Sequence, residues 1–168
     1  SFSDEDHRKA ATFITGFEDE VFNGPYIRKY WDQEAEGGRQ NGESDADFIY
    51  MRYADVLLMY AEVLNEINNG PDDNAYRSIN DVRNRAGLAD LPDGLDYQLF
   101  KDALLQERQW EFVMEGHRWY DLVRMGKLVE CVQRAKPTAN VKSHHILFPV
   151  PQKERYLNPK LTQNEGYY

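Results

Sequence analysis

Apolar residues in the middle of the chain recur at helical spacing. From about Ile49 to Asn68, the residues Ala54, Leu57, Leu58, Ala61 and Leu64 fall on one face and predict helix A, with Asp47 as a candidate cap. The run Asn68-Asn-Gly-Pro71 supplies the stop. From about Asp73 to Ala86, a stripe of Ala75, Ile79, Val82 and Ala86 predicts helix B, and Gly87 stands where a left-handed terminating residue belongs. The short connection predicts an antiparallel hairpin of the two helices. After a turn at Leu91-Pro-Asp-Gly94, helix C is expected from about Asp96 to Glu115. Asp96 is its N-cap, and Phe100, Ala103, Leu104, Trp110 and Met114 are core candidates. Gly116 breaks or bends it. Helix D follows from His117 to Met125, stopped by Gly126, and a further turn or two cover Leu128 to Arg134.

The flanks read differently. Residues 1 to 48 carry Gly16, Gly24, Pro25, Gly37, Gly38 and Gly42 without sustained periodicity, which predicts loops with short extended pieces such as Tyr26-Ile-Arg-Lys-Tyr30. The polar, Gly-rich run Glu34 to Asp47 reads as a surface loop or boundary. Beyond Pro137 the chain reads as extended, because Pro149 and Pro151 argue against a helix and against a central strand. The organisation expected is mostly loop over 1–48, helical over 49–134 and an extended tail over 135–168. Helices A and B together look like one unit of a helical repeat, although no second copy appears at a fixed period.

Composition narrows the function. At 168 residues and 41% hydrophobic, the chain can bury one core. Its net charge of -9, with cations interleaved among acids, argues against a phosphate-backbone partner. A single cysteine, Cys131, excludes an internal disulfide framework. No stretch is long and apolar enough to span a membrane, and no signal peptide is visible at Ser1. The opening Ser1-Phe-Ser-Asp-Glu-Asp-His7 reads as an interior start, so a fragment is expected. Aromatics make up 13%, which suits either a ring-lined ligand surface or an aromatic core. Tyr26, Tyr30 and Trp31, beside loop sequence, are the candidate ligand platform.

The densest charged segment runs from Glu107 to Gly126. Glu107, Glu111 and Glu115 stand at i, i+4 and i+8 on helix C, where like charges repel, so the row requires cations. Arg118, Asp121 and Arg124 are spaced i, i+3 on helix D, and folding that helix back would bring its arginines to the row. Arg52, Arg83 and Arg85 are further candidates, and Arg108 belongs to the same network. Paired carboxylates could instead serve acid–base chemistry as in a glycoside hydrolase, but that needs a raised pKa, and neighbouring arginines lower it. No two of His7, His117, His144 and His145 are spaced i, i+4, so no metal site is expected, and no phosphate loop or nucleophile elbow is present.

Five motifs then occur in order: Arg52-Tyr-Ala-Asp-Val-Leu-Leu-Met-Tyr-Ala-Glu62, Ile79-Asn-Asp-Val-Arg-Asn-Arg-Ala-Gly-Leu88, Glu107-Arg-Gln-Trp-Glu111 with Glu115-Gly-His-Arg-Trp-Tyr-Asp-Leu-Val-Arg124, Leu147-Phe-Pro-Val-Pro-Gln152, and Asn158-Pro with Leu161-Thr-Gln-Asn-Glu-Gly-Tyr167. Together they resemble the C-terminal part of the SusD/RagB family. The resemblance implies an all-α fold of tetratricopeptide-like helix pairs with long irregular loops and an extended C-terminal tail. It implies no cofactor and no enzymatic activity. Such proteins are lipid-anchored on the outer face of the outer membrane of Bacteroidetes-type bacteria. They bind glycans or other nutrients and deliver them to a TonB-dependent, SusC-like transporter. Their anchoring cysteine lies at the N-terminus of a much longer chain, and Cys131 does not correspond to it. Family ligand contacts come largely from variable loops, so no binding residue carries over to a matched position. The other readings from the residues are a glycoside hydrolase using Glu107, Glu111 or Glu115, and a helical scaffold for a protein partner.

Overall fold

A computed structural model describes residues 2–17, 19–30 and 46–168. It divides into two compact units, Ser1–Arg118 and Trp119–Tyr168.

The first unit opens with a short helix, α1 (Arg8–Thr12), and an antiparallel hairpin of β1 (Phe13–Phe17) and β2 (Glu20–Ile27). Phe13 faces Ile27 and Ile14 faces Tyr26, then the register slips before Gly16 meets Val21. These elements occupy residues 8–27 of the stretch expected to hold loops with short extended pieces. β2 buries almost nothing on either face, so no alternation of polar and apolar residues marks it. The run Glu34 to Asp47 lies almost wholly outside the described residues.

Three long helices follow. α2 (Tyr53–Asn68) begins four residues later than its apolar pattern suggests. Asp47 does not cap it. Arg52 holds the N-cap position in extended backbone, and its side chain is engaged elsewhere, as described below. The helix ends where Asn69 turns left-handed, at φ 52°, and the Gly70 N–H donates to the Asn65 carbonyl. α3 (Asp73–Arg85) is capped by Asp72, which accepts from the Ala75 N–H at 2.8 Å. It ends on Gly87 at φ +80°, with the Leu88 N–H donating back to the Arg83 carbonyl at 3.0 Å. α4 (Tyr97–Glu111) is capped by Asp96, which accepts from the Leu99 N–H at 2.8 Å.

α2 packs against both α3 and α4. Leu58, Ala61, Ala75, Ile79, Phe100 and Leu104 are fully buried in the shared core, with Phe112 closing it. Small alanines on α2 and α3 let the helices approach, and the large Phe100 fills the space between, set edge-on to Tyr76 at 5.2 Å. Full burial of each large side chain contributes roughly 1.5–3 kcal/mol.

α4 stops at Glu111, short of the Glu115 expected from the sequence. Phe112 leaves helical geometry, and the chain turns through left-handed Met114 (φ 64°) and Gly116 (φ 82°). Glu115 therefore stands on a turn, and the three glutamates do not form one helical row.

The second unit holds α6 (Leu128–Ala135), a 3-10 turn at Ser143–Ile146 and α7 (Gln152–Leu157); α5 (Arg118–Arg124) leads into it. The tail is thus not extended throughout. Pro151 takes the N-cap of α7, since proline's fixed φ suits a helix start and its missing N–H costs nothing there. Two motifs of the tail are knitted together. The Gln163 side chain accepts from the Val150 N–H and donates to the Val150 carbonyl. Asn164 donates to the Phe148 carbonyl, and the Tyr167 hydroxyl donates to that of Leu147.

Candidate functional site

The chemistry of the first unit concentrates where α4 ends. Glu107, Glu111 and Glu115 are all buried there. Glu107 accepts from Arg8 Nη1 at 2.6 Å and from Arg83 Nη1 at 2.9 Å. Glu111 accepts from the same Arg8 nitrogen at 3.0 Å and from Arg52 and Arg85. Glu115 takes Arg52 Nε on both oxygens, at 2.9 and 3.1 Å, and Lys29 Nζ. Behind Arg8 stands Asp6, which receives Nε at 2.8 Å and Nη2 at 2.7 Å.

The same cations serve the frayed helix end. Carbonyls in the last turn of a helix have no intrahelical donors. Arg52 Nη2 donates to the Glu111 carbonyl at 2.7 Å, and Lys29 donates to those of Glu111 and Val113 at 3.2 Å. Positive charge at this end also suits the helix dipole. The guanidinium of Arg52 lies over the Phe112 ring at 4.9 Å, and that of Arg8 lies 5.9 Å from the Trp110 ring.

Among the described residues, then, the glutamates draw their cations from Arg8, Lys29, Arg52, Arg83 and Arg85. The expectation that Arg118 and Arg124 would meet them is not met. Arg118 donates to the Leu105 carbonyl at 3.2 Å, and Arg124 pairs with Asp121 at 2.8 Å. Arg108 turns the other way and forms a buried pair with Asp55 of α2 at 2.7 Å. Sequence reasoning missed Arg8, Asp6 and Lys29 altogether.

The electrostatics oppose acid–base chemistry. Burial pushes the Glu111 carboxyl up, but Arg52, Arg85 and Arg8 outweigh it and hold the group below the usual carboxylate range. For Arg8, burial disfavours the charge, yet Asp6, Glu107 and Glu111 keep its guanidinium above its ordinary value. Held in its charged form among three arginines, Glu111 is poorly placed to carry a proton to or from a substrate. What the cluster does is join α1, the segment after β2, the start of α2, the end of α3 and the end of α4 at one point.

Two of the three residues of the candidate ligand platform lie among the described residues. Tyr26 is exposed on β2, edge-on to Phe22 at 5.0 Å. Tyr30 is half-buried and stacked on Phe48 at 5.9 Å. Trp31 lies outside the described residues. Between the N-terminal segment and α4 opens a cavity of about 870 Å³, lined by Phe2, Phe13, Trp110 and Val113 with Asp4 and Lys9 among its polar groups. No group of three or more His, Cys, Asp or Glu among the described residues could hold a metal ion, and no helix there is long and apolar enough to cross a membrane.

The sequence profile of the SusD family matches residues 6–167. The chain belongs to the SusD family. Its relatives include SusD-like protein P25 of Formosa agariphila, 36% identical over 99% of this chain and 33% of that protein. The starch-binding protein SusD of Bacteroides thetaiotaomicron is 30% identical over 92% of this chain and 27% of its own length. Among solved structures, surface glycan-binding protein A from Bacteroides uniformis superposes with a TM-score of 0.79 at 30% identity, covering 97% of this chain and 38% of that one. The chain thus spans about a third of the length of the SusD-family proteins it matches. The all-α, tetratricopeptide-like architecture of helix pairs agrees with these SusD-like structures.

Proposed function

We propose that this chain is the C-terminal part of a carbohydrate-binding protein of the bacterial cell surface. The whole protein captures a glycan or similar nutrient at the outer membrane and hands it to a TonB-dependent, SusC-like transporter. It holds its ligand without chemistry: sugar faces stack on exposed aromatic rings, and polar side chains supply hydrogen bonds. The observation that carries this reading is the SusD-family match over nearly the whole chain, alongside a relative that is a starch-binding protein and a similar structure that is a surface glycan-binding protein. The Glu111 carboxylate, held in its charged form among Arg8, Arg52 and Arg85, supports a binding role over hydrolysis. Within the chain, Tyr26 is one of the exposed rings a sugar could stack on, while the glutamate cluster holds the scaffold.

The test is a glycan-array screen of the purified protein, followed by calorimetric titration of the best ligand and a reducing-sugar assay on the same glycan. Binding without turnover is expected, weakened by Tyr26→Ala if this portion contributes contacts. Turnover that disappears in Glu111→Gln would overturn the binding-only reading, and so would a protein that captures no glycan on the array.

A further inference from the structure

The cavity between the N-terminal segment and α4 lies wholly within the first unit. Three half-buried aromatic rings line it: Phe2, Phe13 and Trp110. Phe2 and Phe13 meet edge to face, with centroids 5.8 Å apart and planes at 75°. In such a pair the ring that gives its edge keeps both faces clear of its partner. Trp110 carries Arg8 over its ring, and Arg8 is not among the lining residues. The cavity therefore meets the part of the indole that Arg8 leaves uncovered. Core packing does not account for this tryptophan. Its Nε1–H is buried with no acceptor among the described residues, whereas a tryptophan buried for packing ordinarily finds one.

The charges of the lining lean negative. Asp4 and Asp6 supply two carboxylates against the single ammonium of Lys9 among the described lining residues. Asp6 is taken up by Arg8. Asp4 is 95% exposed and pairs with Lys9, itself half exposed, and ion pairs between exposed side chains exchange readily. An aromatic ring presents a negative face to a cation, and several rings around one cavity act together. We infer that this cavity is a binding site for a small organic cation, an ammonium group on an apolar or aromatic body. Phe2, Phe13 and Trp110 hold the charge by cation–π contact, and the Asp4 carboxylate turns to it while Lys9 swings out to water. The apolar body lies along Ala10, Pro25 and Val113. The volume of about 870 Å³ suits a small molecule. An anion meets no unpaired cation there. This site does not depend on the glycan reading, and either can fail without the other.

The test is isothermal titration calorimetry on the protein as its gene encodes it, with three probes: benzyltrimethylammonium, benzyl alcohol and phenylacetate. Saturable binding of the cation is expected, on the order of 10-fold tighter than benzyl alcohol, with no binding of phenylacetate. Asp4→Asn, at an exposed position that leaves the fold intact, should weaken the cation about 3-fold and leave benzyl alcohol unchanged. Trp110→Leu and Phe13→Leu, checked for folding by circular dichroism, should each weaken the cation about 5-fold or more. Phe13→Leu carries the test if Trp110→Leu, which also loses the contact with Arg8, does not fold. The inference falls if the cation gives no saturable heat, or if benzyl alcohol or phenylacetate binds as tightly. It falls equally if the folded ring variants keep the affinity of the unaltered protein.

Discussion

Glu111 is the residue whose loss should be felt most, and not through ligand binding. Replacing it with alanine removes a buried carboxylate that accepts from Arg8, Arg52 and Arg85. Breaking one partner of a buried ion pair costs roughly 3–5 kcal/mol, because the other charge is left in a poorly solvated place. Here the stranded cations keep other partners. Arg8 retains Asp6 and Glu107, and Arg52 retains Glu115 and the Glu111 carbonyl. Arg85 is more than half exposed and can return to water. The lower end of the range applies, about 3 kcal/mol, or a fall in Tm of about 6–12 °C for a domain of this size. Urea unfolding followed by circular dichroism reads the loss, and glycan titration of the same variant reads the site. The expected result is a large fall in midpoint with ligand affinity kept wherever the protein is folded. An unchanged midpoint together with abolished affinity would show the cluster to be a ligand site and refute the reasoning. Glu130→Ala serves as the comparison, since Glu130 is half exposed and pairs with Arg134 one turn away. Surface pairs of this kind contribute about 0–1 kcal/mol, so its midpoint should barely move.

Acid should act through the same cluster. Glu111 and Asp6 are held below their ordinary values of 4.5 and 3.8, so the unfolded chain binds more protons between the folded and unfolded values. Their stabilisation is complete above about pH 4.5 and disappears as the pH falls through the lower folded values, and Glu111→Gln should flatten the urea midpoint against pH in that window. Gly87→Ala should destabilise by about 1–3 kcal/mol, because the position needs φ +80° and the new Cβ would stand 2.7 Å from the His7 ring. Gly94→Ala, at φ +78° but in open space, should cost only the backbone part, about 1 kcal/mol; equal losses in thermal melts would remove His7 from the account. Asp96→Ala should cost about 1 kcal/mol by releasing the Leu99 N–H at the start of α4, while Asp96→Asn restores most of it in the same melts.

The helices were legible where a local rule governs them. Asp96 caps α4 and Gly87 ends α3 because caps and left-handed stops depend on the adjacent backbone alone. Ala54, Leu58 and Ala61 were readable because one face of α2 repeats at helical spacing. The start of α2 was misread because the apolar residues Ile49, Tyr50 and Met51 continue the pattern in extended backbone. The end of α4 was misread for a related reason. Glu115 preserves the four-residue spacing of Glu107 and Glu111, although the chain has already left the helix at Phe112. The hairpin carried no signal because its strands are largely exposed, and α7 was hidden by counting Pro151 as a breaker when it starts the helix.

Glu107 and Glu111 announce a need for positive charge, since two carboxylates one turn apart on a buried helix end cannot stand alone. That need could be read; its addresses could not. Arg108 lies between them in sequence, yet it projects from another face of α4 and reaches Asp55. Arg8, which bridges both glutamates, lies 99 residues from Glu107 in a stretch without periodicity. Only closure of the N-terminal segment onto α4 brings it there, and Asp6 holds its fork in place from two residues away. Arg52 and Lys29 are bound in the same way to carbonyls that exist only because α4 stops at Glu111. Cations, carboxylates and helix end therefore meet only when the N-terminal segment closes onto α4. A cluster with that dependence ties the first unit's elements into one fold.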